Sequence, residues 1–172
     1  MNREITPCLK WVGGKGQILE TIFDQFPTSI NNYYEPFLGG GSVAIRLMQL
    51  VSEGFITLKG GIYLGDYNED LINFYNYIKN DPEALLTRLK YYRDIYREAP
   101  TVKREKRHHY QLSHTDQISK VSLLGKDYLY YYFRLLYNHS KDRLTRSALL
   151  LILNKTCFRG LYRVGPNGFN VP

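Results

Sequence analysis

Asn32 Tyr33 Tyr34 Glu35 Pro36 Phe37 Leu38 Gly39 Gly40 Gly41 Ser42 runs from a strand-like stretch through a glycine turn into an apolar helical pattern over Val43 to Val51. Glycines at a strand-to-helix turn permit positive φ and let the backbone come close to a ligand. Ser42 is placed to cap a helix whose free N–H groups face the same space, so the stretch reads as a cofactor cradle. A second apolar run, Ile62 Tyr63 Leu64 Gly65, then delivers Asp66. Its distance from the glycine turn is close to the roughly 20 residues that separate such a turn from a ribose-binding acid in nucleotide folds. Strand, glycine turn, helix, strand and acid form the front half of a nucleoside-cofactor domain.

Working outward, 172 residues with 44% hydrophobic content suffice for one sizeable core, or one core with an appended lobe. No apolar run approaches the ~20 residues that span a bilayer, and Met1 to Lys10 lacks the apolar stretch of a signal peptide. The expectation is a soluble intracellular protein with no membrane partner, cytoplasmic or nucleoid-associated. Cys8 and Cys157 are too few for a disulfide framework or a four-ligand zinc site, which predicts a reducing compartment and two ordinary buried thiols. No metal site is expected.

The net charge of +7 is unevenly spread. Residues 1–99 hold 10 Lys and Arg against 12 Asp and Glu, a net −2, whereas residues 100–172 hold 13 against 4, a net +9. A basic second half points to a polyanion, most simply nucleic acid, because each phosphate contact releases condensed counterions. A solvated basic surface is the simpler alternative.

Trp11 Val12 Gly13 Gly14 Lys15 Gly16 forms another glycine loop, opening a helix expected from Gln17 to Phe26. Lys15 then lies near a helix start, where a ligand carboxylate or phosphate would also lie. A phosphate-binding loop of the G-x-x-x-x-G-K-[ST] type is not present, so ATP hydrolysis is not supported. Helices are expected over Asn68–Lys79, from Asp81-Pro82 through Arg97, over Lys126–Asn138 and over Leu144–Lys155; Ala99–Gly125 reads as a mobile or partly helical insertion. The tyrosine-rich Lys126–Asn138 segment is expected to turn its rings mainly inward, and Leu144–Lys155, apolar almost all round, to be buried. In the glycine-rich end, Phe158, Tyr162 and Phe169 alternate with Lys155, Arg159 and Arg163, which suits base stacking and phosphate clamping as well as ordinary loop chemistry.

Four stretches resemble motifs of the Dam-type (D12 class) DNA adenine-N6 methyltransferases. Lys10 Trp11 Val12 Gly13 Gly14 Lys15 resembles the family's K-W-x-G-G-K, and Glu35 Pro36 Phe37 Leu38 Gly39 Gly40 Gly41 Ser42 its E-P-F-x-G-x-G-S. Leu64 Gly65 Asp66 Tyr67 Asn68 Glu69 Asp70 Leu71 Ile72 resembles its acid-bearing motif, and Leu153–Arg163 with Gly168 Phe169 Asn170 Val171 Pro172 its recognition region. The resemblance implies an α/β fold: a Rossmann-like class I methyltransferase sheet, incomplete here, with an inserted helical DNA-recognition lobe. Residues 1–80 would be the cofactor-binding part and residues 81–172 the lobe. It implies S-adenosyl-L-methionine as cofactor, held by Trp11, Lys15, Phe37, Gly39, Gly41 and Asp66. Double-stranded DNA would be touched by Lys10, Asn154, Arg159, Arg163 and Asn167, and methylated at the adenine 6-amino group of a base rotated out of the helix. From the residues alone, Asp66 is also a candidate helix cap before Asn68, Lys15 a surface lysine, and His108, His109, His114 and His139 show no ligand or base pattern. Arg159 stands where many relatives have asparagine, and the loop Gly165–Gly168 differs from close bacterial forms, so the resemblance does not extend to a target sequence.

One family feature is missing. The catalytic [DN]-P-P-[YFW] motif is not in this sequence, in which none of the seven prolines adjoins another. No catalytic residue is therefore assigned. With only two convincing strands, whose open edge would invite pairing, the expectation is the N-terminal portion of a split or truncated enzyme completed by a second polypeptide. A DNA-binding methyltransferase remnant without activity is the competing expectation, and RNA methylation a third.

Overall fold

The computed structural model describes residues 5–102 and 111–172. Within them the protein is mixed α/β, with helices α1 (Leu19–Asp24), α2 (Ser42–Ser52), α3 (Glu69–Asn80), α4 (Pro82–Glu98), α5 (Ile118–Leu124), α6 (Lys126–His139) and α7 (Arg143–Thr156). The strands are β1 (Ser29–Ile30), β2 (Tyr33–Glu35), β3 (Thr57–Leu58), β4 (Ile62–Leu64), β5 (Val164–Gly165) and β6 (Gly168–Phe169). The chain divides into two compact units, Met1–Ile72 and Asn73–Pro172, the division falling inside α3. His108, His109 and part of the expected Ala99–Gly125 insertion lie outside the described residues; Ile118–Leu124 within that insertion is helical.

In the first unit β1 pairs in parallel with β3 and β2 with β4, in registers Ser29↔Thr57 and Tyr34↔Tyr63. Parallel neighbours need a long crossover, which α2 provides. Between the two pairings, Asn32 Oδ1 accepts from the Gly61 N–H at 2.9 Å, and a Cβ at Gly60 would run into Asn31 and Asn32. Leu47, Leu50 and Ile56 form the core beside α2, with Phe23, Phe26, Ile30, Tyr33 and Val51 packed against them.

The expected Gln17–Phe26 helix is shorter, a 3-10 turn at Gly16–Ile18 followed by α1. Ser42 does not cap α2: Gly41 occupies the N-cap with φ +74°, moving the start of the helix one residue earlier than a serine cap would place it. Cys157 is buried but Cys8 is exposed, correcting the expectation of two buried thiols, because Cys8 lies in a bend ahead of the first helix whose inward side is taken by its neighbour Leu9.

The second unit is helical. Asp81 caps α4 by accepting from the Ala84 N–H at 3.1 Å, with Pro82 in the first turn, as the sequence indicates. Tyr130, Tyr132, Phe133 and Tyr137 of α6 are buried, and the Tyr92 and Phe133 rings meet edge to face at 5.3 Å. Only one side of α7 is buried, since Leu151 and Ile152 stay half-exposed while Leu149, Leu150 and Leu153 are enclosed. After α7 a 3-10 turn at Phe158–Gly160 leads into the antiparallel β5–β6 hairpin, with Val164 opposite Phe169.

Candidate functional site

In the first unit a cleft of about 420 Å³ opens over the end of β2 and the start of α2. That volume is in the range of small-molecule sites, ~300–1,000 Å³. Trp11, Lys15, Phe37, Gly39 and Asp66 line it together. Gly41 is not a wall residue but the left-handed N-cap that turns the chain into α2.

The glycine turn is built around an indole and a carboxylate. A Cβ on Gly39 would lie 3.1 Å from Trp11 Cδ1, and one on Gly40 3.1 Å from Trp11 Cβ, so any larger residue at either position would have to displace the tryptophan by a few tenths of an ångström. Asp66 Oδ2 accepts from the Gly39 N–H at 2.8 Å, while Oδ1 accepts from the Asn68 N–H at 2.9 Å. The helix-capping role weighed for Asp66 passes to Asn68, whose Oδ1 accepts from the N–H groups of Asp70 and Leu71 at the start of α3. Each Asp66 oxygen retains acceptor capacity toward the cleft.

Lys15 is exposed and donates from Nζ to the Gly13 carbonyl at 2.9 Å. Phe37 is 84% exposed, a ring held at the cleft with little protein against it. Ser42 and Val43, the first residues of α2, also line the cleft, and no side chain caps this helix start. Its N–H groups and the positive end of the helix dipole favour a negatively charged group there.

Glu35 was not singled out by the sequence reading, although it sits inside the quoted motif. It lines the cleft half-buried and accepts from the Tyr33 hydroxyl at 2.9 Å. Burial pushes its carboxyl above the ordinary range, a rise the Tyr33 and Ala44 hydrogen bonds partly offset. Burial beside that carboxyl raises the Tyr33 phenol as well. An acid ending a strand at a glycine turn was the available signal.

The residues expected at DNA are placed differently. Lys10 is exposed in the first unit. In the second unit Arg159 and Asn167 are exposed, Asn167 in the turn between β5 and β6 and Arg159 in the 3-10 turn, its guanidinium 5.1 Å from the centre of the Phe158 ring. Arg163 donates through Nε to Asn170 Oδ1 at 2.7 Å and through Nη2 to the Asn170 carbonyl at 3.1 Å, which engages two of its three guanidinium nitrogens within the hairpin. Asn154 is only 2% exposed and donates to the Gly160 carbonyl at 2.9 Å. It therefore anchors the turn that carries Arg159 rather than facing solvent.

Comparison with known proteins decides the family. The profile of D12 class N6 adenine-specific DNA methyltransferases matches residues 11–172. The chain belongs to this family. It is 36% identical over 178 residues to the Type II methyltransferase M.MjaIII of Methanocaldococcus jannaschii, covering 98% of this chain and 52% of the relative. It is 31% identical over 165 residues to the DNA adenine methylase of Vibrio cholerae, covering 95% and 46%. The Type II methyltransferase M1.LlaDCHI of Lactococcus lactis is 28% identical over 169 residues, covering 98% and 47%. The chain thus spans about half the length of the curated relatives it matches. Among the described residues of this D12-class chain no cluster of His, Cys, Asp and Glu could hold a metal ion, and no helix is long and apolar enough to cross a membrane.

Proposed function

We propose that this chain provides the cofactor unit and the DNA-recognition lobe of an enzyme that methylates the adenine 6-amino group in duplex DNA with S-adenosyl-L-methionine. The observation that carries the reading is the convergence of Trp11, Lys15, Phe37 and Asp66 on the glycine turn at the start of α2. In keeping with a Rossmann-like sheet, β2 and β4, which lead into Phe37 and Asp66, are parallel neighbours with α2 in the chain between them.

The cleft residues fit the cofactor's chemistry. Asp66 is placed to accept from ribose hydroxyls while its bond to the Gly39 N–H fixes its orientation. Lys15 and the α2 N-terminus offer positive charge to the methionine carboxylate, and Trp11 and Phe37 offer aromatic faces to the adenine or the sulfonium cation. When bound, S-adenosylmethionine supplies an electrophilic methyl group on sulfur. The chain's own part is to fix the sulfonium end relative to a rotated-out base, and to hold the duplex through Lys10, Arg159, Arg163 and Asn167.

The adenine amine is a weak nucleophile because its lone pair is delocalised into the ring, so acceptors must hold its two protons. The 172 residues contain no Asp-Pro-Pro-Tyr to do so. We assign that group to the portion of the family's length that these 172 residues do not span.

The test is calorimetric titration of the chain with S-adenosylmethionine and with duplex DNA, followed by labelled-methyl transfer with and without a polypeptide carrying Asp-Pro-Pro-Tyr. Binding of both, with transfer only when that polypeptide is added, is expected. Binding of DNA with no transfer under any pairing would make the chain a DNA-binding remnant, and binding of neither would overturn the proposal.

A further inference from the structure

Three residues of α6 meet the return segment of the recognition hairpin, β6 and the two residues that follow it. Tyr130 Oη donates to the Val171 carbonyl at 2.6 Å, and Arg134 Nη1 donates to the same oxygen at 3.3 Å. Asn138 makes a double contact one turn further on: Nδ2 donates to the Phe169 carbonyl at 3.0 Å, and Oδ1 accepts from the Phe169 N–H at 2.8 Å. Residues four apart share one helix face.

The spacing has a physical basis. Four helical residues advance about 6 Å along the axis, and two strand residues advance about 6.6 Å. A helix offering donors at 134 and 138 therefore stays in step with a strand offering carbonyls at 171 and 169. Because strand side chains alternate, the same register buries Phe169 and Val171 and leaves Asn170 exposed between them, in its bonds to Arg163.

The Asn138 amide takes the place of a neighbouring strand, offering one acceptor and one donor to one residue's backbone. Gly168 makes the approach possible: its φ is +90°, and a Cβ there would lie 2.6 Å from Asn138 Oδ1. Among natural side chains only asparagine and glutamine offer an acceptor and a donor in this planar arrangement, and glutamine is one methylene longer.

We propose that Asn138 is a positioning residue for target recognition, setting the register of the hairpin and so the direction in which Arg163 is presented to a base edge. Tyr130 and Arg134 hold the strand's exit, and Asn138 fixes its rotation. The inference rests on the reading of the hairpin as a DNA-contacting element, and nothing in it depends on Asn138 touching DNA.

The experiment selects duplexes from a pool with a randomised centre by binding to the 172-residue chain, and sequences what is retained. The native chain is expected to enrich a defined sequence, whereas Asn138→Ala is expected to lose about tenfold in selectivity, comparable to mismatching one base pair. Its S-adenosylmethionine affinity, helical content and salt-dependent binding to unselected DNA should stay unchanged. Gly168→Ala, which crowds the same contact from the other side, should give the same flattened spectrum. Asn138→Asp keeps the shape but sets an acceptor oxygen against the Phe169 carbonyl, and should lose selectivity at neutral pH.

Full selectivity in Asn138→Ala or in Asn138→Asp overturns the proposal. Loss of helical fold in both overturns it too, since Asn138 would then support the lobe rather than the hairpin. Failure of the native chain to retain any DNA defeats the proposed function instead, a result separable from either.

Discussion

At the scale of single residues, the cleft depends on a carboxylate with two tasks. Asp66 braces the glycine turn through Gly39 and begins the approach to α3 through Asn68, so its removal loosens the cleft wall as well as deleting the proposed ligand contact. Asp66→Ala is expected to weaken S-adenosylmethionine binding by about 2–3 kcal/mol, the scale of hydrogen bonds to a charged group, measured by calorimetry. Glu35 gives a pH signature. Its carboxyl is raised from the ordinary 4.5, so between that value and its folded-state value the folded chain holds a proton that the unfolded chain has released. Stability is therefore greatest below that window and falls as pH rises through it. Urea unfolding across mildly acidic pH should show this slope, and Glu35→Gln should remove it. Arg159 has a left-handed backbone, φ 56°, which asparagine adopts with less strain than arginine. Arg159→Asn is expected to raise stability by about 0.5–1 kcal/mol in thermal melts. If Arg159 meets a phosphate, the same change lowers the log–log salt slope of DNA binding by about 0.9.

At the scale of elements, the start of α4 was legible because a capping side chain and a proline adjoin, whereas the start of α2 was blurred because the backbone itself makes the turn. Asp81-Pro82 announces α4 in the sequence, and the structure starts the helix there. The start of α2 was displaced because Gly41 performs by conformation what Ser42 was expected to perform by hydrogen bonding. For α7 the cap is Asp142, which accepts from the N–H groups of Leu144 and Thr145 and from the Thr145 hydroxyl. Its carboxyl lies below the usual 3.8, chiefly through the Thr145 hydroxyl, with the helix N–H groups and Arg88 adding to it. The stability it contributes is present above that ordinary value and is lost as pH falls through the lowered one. Asp142→Ala should cost about 1 kcal/mol at neutral pH and less in acid, read from chemical denaturation at both. The inward turn of the α6 aromatics followed from their helical spacing. Which of them donate to the hairpin did not, because hydrogen bonds between α6 and residues some 30 to 40 positions later leave no local trace.

At the scale of the whole molecule, charge and length carry the argument. The excess of Lys and Arg falls in residues 100–172, which include the exposed Arg159 and Arg163. DNA affinity should consequently fall steeply with salt, with a log–log slope near −0.9 for each phosphate contacted, while S-adenosylmethionine affinity should be far less salt-sensitive. Fluorescence titrations over a salt series would measure both on one preparation, and equal slopes would count against nucleic acid as the partner of the basic region.

Residue identity and spacing by themselves determined the strand–glycine–helix cradle, the acid that follows it and the D12-class resemblance, because these depend on backbone freedom and short-range order that a linear pattern records. Tertiary structure decided that Asp66 grips Gly39 across 27 positions, that Glu35 faces the cleft, that Asn154 is buried, and that Asn138 stands in for a strand. Each of these depends on a polar group finding its partner through space once water is excluded, and such a pairing is fixed only when distant elements pack.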